Sequence, residues 1–143
     1  MTDPVIQRPT RIVVDLDALS HNLQAIRAHV GVPVMGIVKA NAYGHGLVRV
    51  ARHLEAQGVD QLGVAFVEEG VALRKAGIQL PILVLGGIFG PQVAQFLRHD
   101  LEITVSSLDK LRQVEATAEA LGSKAVVHLK IEMGMDRSVV QRY

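Results

Sequence analysis

The sequence predicts an α/β fold with about five parallel strands, and three observations carry that expectation. Short β-branched runs alternate with stretches whose apolar residues recur at three- and four-residue spacing. The junctions between them are short and marked by Gly, Ser, Asp or Pro. No linker, low-complexity segment or internal sequence repeat interrupts the chain, so it reads as one domain. Parallel neighbours need crossover connections, which the intervening helices supply. On pattern alone a five-stranded doubly wound sheet fits 143 residues. A complete (β/α)8 barrel takes about 200 residues or more.

Taken in order, Arg11 to Asp15 is a short β-branched run, followed by a helix bearing Leu16, Leu19, Leu23, Ile26 and Val30, with Asp15 or Asp17 as its cap. Pro33 to Val38 reads as a buried strand. Leu47, Val50 and Leu54 mark the next helical face, and Gly58 is a suitable terminator. Gln61 to Ala65 is strand-like. The helix over Val67 to Ala76 carries Glu68 and Glu69 at its start and Arg74 and Lys75 at its end, matching the helix dipole, with Gly77 as the stop. Ile82 to Leu85 is a strand entering Gly86 and Gly87. Pro91 suits the first turn of a helix through Leu97, and Leu101 to Val105 is the next strand. Ser106 or Ser107 caps a helix with Leu108, Leu111, Val114, Ala118 and Leu121, closed by Gly122, and Ala125 to Ile131 is the last strand. Within that strand, alternation sends Val127, Leu129 and Ile131 towards the helices and turns His128 and Lys130 to the opposite face.

Composition narrows the function classes. A hydrophobic fraction of 49% with 20% charged residues belongs to a globular chain. At this length about 68–70% of the unfolded surface can be buried. A net charge of +1, three Phe and two Tyr supply neither a basic field nor a stacking platform, so nucleic acid is not an expected partner. The absence of cysteine removes disulfides and thiolate chemistry and fits a reducing compartment. Leu80 to Phe89 is too short an apolar stretch to span a bilayer, and Met1-Thr2-Asp3-Pro4 lacks the pattern of a secretion signal. The expectation is a cytoplasmic protein without a membrane partner. The six histidines show no metal-ligand spacing with carboxylates, so no metal is expected.

The most informative residue is Lys39, where an apolar strand delivers one amine to its C-terminal end just before Ala40-Asn41-Ala42-Tyr43-Gly44-His45-Gly46. A Schiff-base lysine needs a rigid support, partial desolvation and glycines that let backbone approach an anionic cofactor. Lys130, near the end of the fifth strand, should reach the same C-terminal rim, where barrel enzymes build their sites. On chemistry alone, each of these residues has a plainer reading. Lys39 is a solvated strand-edge charge, Tyr43 a loop anchor, and His128 and Lys130 the polar face of an open sheet.

The run Val38-Lys39-Ala40-Asn41-Ala42-Tyr43-Gly44-His45-Gly46 resembles the cofactor-lysine signature of alanine racemases, enzymes that use pyridoxal 5'-phosphate. Similarity extends through Arg8-Pro9-Thr10, Asp15-Leu16-Asp17-Ala18-Leu19, Gly63-Val64-Ala65, Ile82-Leu83-Val84-Leu85-Gly86-Gly87 and His128-Leu129-Lys130. The resemblance implies a partial (β/α)8 (TIM-type) barrel over residues 11–137, with 1–10 and 138–143 as tails. It implies an isomerase that interconverts L-alanine and D-alanine, a peptidoglycan precursor, and that works as a homodimer. The residue matching Lys39 forms the internal aldimine and serves as one acid/base group. Tyr43 matches a residue that contacts the cofactor phosphate, and Lys130 matches a lysine that is carbamylated in several members. Arg137 matches an arginine that donates to the cofactor's phenolic oxygen near the substrate carboxylate. The family pattern reads approximately Lys-Ile-Asp-Thr-Gly-Met-x-Arg, whereas this chain has Glu132 and Met133 at the third and fourth positions, and after Arg137 the likeness stops.

Members of the family add a β-rich C-terminal domain, and the opposite-face base is a tyrosine of that domain in the neighbouring subunit. Tyr143 is not its counterpart. The isolated chain is therefore expected to lack racemase activity, and the resemblance leaves both alanine and serine open as substrates. Two other readings stand beside it. One is a non-catalytic truncated interaction fragment that associates through its sheet edges, and the other is a single-domain pyridoxal-phosphate-binding protein of the related barrel family.

Overall fold

The computed structural model describes residues 12–131. The chain alternates helix and strand: α1 (Leu16–Val30), β1 (Met35–Ile37), the single turn α2 (Lys39–Tyr43), α3 (Leu47–Ala56), β2 (Gln61–Val64), α4 (Val67–Lys75), β3 (Ile82–Val84), α5 (Val93–Arg98), β4 (Glu102–Val105), α6 (Leu108–Ala120) and β5 (Val127–Leu129). Five parallel strands form one sheet in the order β1-β2-β3-β4-β5.

That sequential order decides between the two architectures the pattern allowed. Right-handed crossovers that always step to the next strand in the same direction place every helix on one side of the sheet, which is how a barrel is wound. A doubly wound sheet requires a reversal of strand order, and none occurs among the described residues. The doubly wound alternative is set aside, and the described residues form five strands of a barrel, with β1 and β5 at the edges of that set.

Register assigns the two faces. Leu62 pairs with Ile82, and Val64, Val84, Ile103 and Val127 line up across the sheet. Together with Val105, the first five of these are at most 1% exposed, packed beneath Val50, Leu54, Val67, Leu73, Phe96 and Val114 of the helices. This is the core. On the other face, the barrel's inner side, Met35 pairs with Gln61, Ile37 with Gly63, Gly63 with Leu83, and Leu83 with Glu102, while Thr104 pairs with His128. The expected split within β5 holds in part. His128 lies on the inner face, but Val127, Leu129 and Ile131 are 39%, 69% and 71% exposed instead of covered. No described helix follows β5 to cover them.

The expected helix caps form where their side chains reach orphan amides. Asp15 accepts from the amides of Asp17 and Ala18 at 2.9 and 3.0 Å, and Ser107 accepts from Lys110 at 3.2 Å. The Arg11–Asp15 run is corrected. Residues 12–15 form no strand, and Ile12 and Val13 are exposed because no described strand lies beside them. β1 is shorter than Pro33–Val38, since Pro33 has no amide to donate and the chain leaves the ladder at Val38.

The N-terminal end of the sheet is stapled by two arginines. Arg27 bonds the carbonyls of Gln57 and Gly58 and pairs with Asp60 at 3.0 Å, and Asp60 accepts from the Val34 amide at 2.8 Å. Those contacts, the Val34 amide first and the Arg27 guanidinium second, hold the Asp60 carboxyl below its usual range. Arg74 donates to four carbonyls, those of His99, Ile78, Leu80 and Asp100, at 2.7–3.1 Å. Burial pushes its guanidinium below the ordinary arginine value.

Candidate active site at the strand C-termini

Lys39 leaves the C-terminal end of β1, half-buried, at the rim where barrel sites are assembled. The backbone is fixed immediately upstream by Val38 N–H donating to the Gly63 carbonyl at 2.9 Å. Among the described residues the Lys39 ammonium has no hydrogen-bond or ion-pair partner. It is an amine held at its base and unclaimed at its tip.

Beyond Lys39 the backbone winds into a left-handed helical turn. Ala40, Asn41, Ala42 and Tyr43 have φ of 52, 57, 52 and 53°, and only then does Gly44 arrive at φ 87°. Left-handed helix costs an L-residue about 1–2 kcal/mol, so four in succession need strong local support. The turn closes on itself through Ala42 N–H to Val38 O at 2.8 Å, Gly44 N–H to Ala40 O at 3.1 Å and Gly46 N–H to Asn41 O at 2.9 Å. The Asn41 side chain accepts from the Leu47 amide at 2.8 Å and so caps α3, and His45 Nδ1 lies 2.8 Å from the Ala42 carbonyl, a structural contact. Ala42 is the buried foot of the turn, while Tyr43 stands 60% exposed at the rim. The glycines permit a tight passage into α3, but the left-handed conformation begins four residues before them, which the residue types do not announce.

A third support comes from α4. Glu69 Oε2 accepts from the amides of Ala65 and Phe66 at 2.8 and 3.2 Å, and its Oε1 accepts from the Ala40 amide at 2.7 Å. Sequence reasoning saw Glu69 only as a charge suited to the start of α4. Its position three residues into the helix signals the local contacts. The bond to Ala40 spans 29 residues and has no local signal.

Lys130 lies just past β5, its amide donating to the Val105 carbonyl at 2.8 Å, which extends the ladder and keeps Lys130 in phase with His128 on the inner face. Lys39 and Lys130 thus sit at the C-terminal ends of the two edge strands of one sheet. Arg137 lies outside the described residues, as do Glu132, Met133 and Tyr143. Deeper on the inner face runs a polar chain that the sequence did not suggest. Gln61 Nε2 donates to Glu102 Oε2 at 2.5 Å, and His128 Nε2 lies 2.6 Å from the same oxygen. It links three strands and gives the interior side a hydrogen-bonded floor below the rim.

A cavity of about 500 Å³ opens beside β1, between Leu19, Leu23, Ile26 and Leu54 on one side and Ala42 and Tyr43 of the left-handed turn on the other. Its walls are largely apolar, with Asn22, Tyr43 and His45 as the polar exceptions, and Lys39 does not line it. At the rim, a primary amine can condense with an aldehyde, and a phenol hydroxyl four residues on can donate to a phosphate, so the donor set fits pyridoxal phosphate. No group of three or more metal-ligating side chains occurs among the described residues, and none of their helices is long and apolar enough to cross a membrane.

Comparison with known proteins agrees with this geometry. The family described as "Alanine racemase, N-terminal domain" matches residues 14–139. Alanine racemase 2 of Caldanaerobacter subterraneus subsp. tengcongensis is 45% identical over 132 residues, covering 91% of this chain and 34% of the relative. Alanine racemase of Geobacter sulfurreducens is 42% identical, covering 91% and 35%. Among solved structures, alanine racemase of Clostridium difficile 630 superposes with a TM-score of 0.85 at 40% identity over 92% of this chain and 37% of that one. A histidine racemase of Leuconostoc mesenteroides subsp. sake gives a TM-score of 0.80 at 25% identity, over 85% and 33%. The chain spans about a third of the length of these relatives. It belongs to the alanine racemase N-terminal domain family.

Proposed function

We propose that this chain is the N-terminal portion of an alanine racemase, with residues 11–137 as its barrel segment and Lys39 as the amine that holds pyridoxal phosphate. The observation that carries the reading is Lys39 itself, an amine with no partner among the described residues, at the C-terminal end of β1 and opening a left-handed turn. When bound, the cofactor supplies an electron sink for the carbanion left by removal of the alanine α-proton. Lys39 Nζ takes or returns that proton on one face. Tyr43 holds the phosphate through its hydroxyl, and Arg137 holds the substrate carboxylate and the cofactor's phenolic oxygen through its planar fork. Lys130, once carbamylated, would present a carboxylate to orient that arginine. The opposite-face base belongs to a neighbouring subunit's C-terminal domain, so the 143-residue chain alone does not racemise, and the working enzyme is a cytoplasmic homodimer. The histidine racemase on the same barrel is a reason to leave substrate choice to parts of the fold beyond these residues.

The test is a chimera in which this chain replaces the corresponding first third of the Geobacter sulfurreducens relative, assayed for interconversion of L- and D-alanine. The expected result is racemisation that Lys39→Ala abolishes. A folded chimera that binds pyridoxal phosphate yet leaves both enantiomers unchanged would contradict the reading. One observation favours a second reading, a non-catalytic interaction fragment. The outer faces of Leu129 and Ile131 are uncovered and both sheet edges are open among the described residues. Dimers that dissociate after charge substitution on those faces, with no cofactor bound, would support it.

A further inference from the structure

Glu69 makes a contact that its own helix does not require. One carboxylate oxygen, Oε2, serves the start of α4 through the amides of Ala65 and Phe66. The other, Oε1, reaches across to the Ala40 amide at 2.7 Å. That amide belongs to the peptide joining Lys39 to Ala40. A peptide unit is planar, so holding its N–H also holds the Lys39 carbonyl and the torsion between them. On the other side of Lys39 the Val38 amide is bonded to the Gly63 carbonyl at 2.9 Å. Lys39 is therefore pinned on both flanks, upstream by the sheet and downstream by Glu69, and its Cα–Cβ direction is set.

We propose that Glu69 is a positioning residue for Lys39: its carboxylate bonds the Lys39–Ala40 peptide, keeps the left-handed turn closed, and thereby aims the amine into the rim. The part that concerns the cofactor rests on Lys39 being the amine that holds it. The residue type suits the donors it meets. Three amide N–H groups converge on one side chain, and only a carboxylate offers acceptors alone at both oxygens. Glutamine would turn an NH2 towards an N–H, and aspartate is one methylene too short to reach both turns. Like the left-handed residues it supports, Glu69 acts through backbone and touches no reactant.

The experiment compares wild-type chain, Glu69→Gln, Glu69→Asp and Val67→Ala by residue-resolved amide hydrogen exchange, and by borohydride trapping of pyridoxal phosphate with peptide mapping. Val67 is buried at the same helix start, and its apolar side chain cannot accept from the Ala40 amide, so its truncation controls for general weakening of α4. In both Glu69 variants the Ala40 amide should exchange about tenfold faster or more than in Val67→Ala, as expected for a lost charged hydrogen bond. The fraction of adduct at Lys39, relative to Lys75, Lys110 and Lys124, should fall by a similar factor, while Val67→Ala keeps it. Wild-type exchange at Ala40 in the Glu69 variants, or Lys39 trapping equal to that of Val67→Ala, overturns the proposal. If the wild-type chain forms no Lys39 adduct, the cofactor reading fails by itself, and the Ala40 amide then decides alone whether Glu69 holds the turn.

Discussion

Lys39 could be singled out from the sequence because strand, amine and glycine loop are consecutive, whereas the groups that aim it are not. Val38 is held by Gly63 and Ala40 by Glu69, contacts that exist only once β1, β2 and α4 are side by side. The same distinction separates Tyr43, which the motif marks, from Gly86, whose reason for being glycine lies in the fold. On the proposed role, Tyr43→Phe should weaken pyridoxal phosphate binding about five- to tenfold, the worth of one hydrogen bond, and leave any adduct at Lys39 in place. Equilibrium dialysis checks this, and unchanged affinity would remove the hydroxyl from the site. Gly86 lies just past β3 with its amide 3.0 Å from the Ala65 carbonyl, and a Cβ at Gly86 would collide with that same oxygen. Gly86→Ala should therefore destabilise the chain by about 1–3 kcal/mol in urea unfolding. A neutral result would contradict the close approach of the β2 and β3 ends.

At the scale of elements, periodicity and capping chemistry located every strand and the five longer helices, because each has a face to bury and a recognisable start. The errors lie where tertiary neighbours decide. The apolar run before α1 finds no strand partner among the described residues, and β1 ends early where the chain turns left-handed. The arginine staples were also illegible, since Arg74 looks from sequence like a charge suited to a helix end. In place it bonds four carbonyls from two loops. Arg74→Lys keeps the charge but not the planar fork, and should cost about 1.5–3 kcal/mol in the same unfolding assay. Asp60 makes a pH prediction. Its folded pKa is depressed, so the stability it contributes is present above the unfolded carboxylate value and is lost as pH falls through the folded value. Acid titration of unfolding should therefore show a shallower loss of stability below about pH 4 in Asp60→Asn than in wild type. Identical slopes would mean that the Val34 and Arg27 contacts do not persist in solution.

For the whole molecule, strand–helix alternation fixes the class but not the winding, because a barrel and a doubly wound sheet share the same βα repeat. Strand order alone separates them, and it arises from how successive helices pack, which no local pattern records. Among the described residues the same winding leaves the outer edges of β1 and β5 open and exposes Leu129 at 69% and Ile131 at 71%. The isolated chain should associate as its concentration rises, and Leu129→Lys should weaken that association about tenfold by sedimentation, reflecting one leucine's burial. Concentration-independent monomers would show that those faces are not sticky. Whether Lys39 is the cofactor amine of a racemase barrel is decided by incubating wild-type chain and Lys39→Ala with pyridoxal phosphate, reducing with borohydride and mapping the modified peptide by mass. One dominant adduct at Lys39 is expected, and it should disappear in the variant. Adducts scattered over surface lysines of a folded chain, unchanged by Lys39→Ala, would contradict that role.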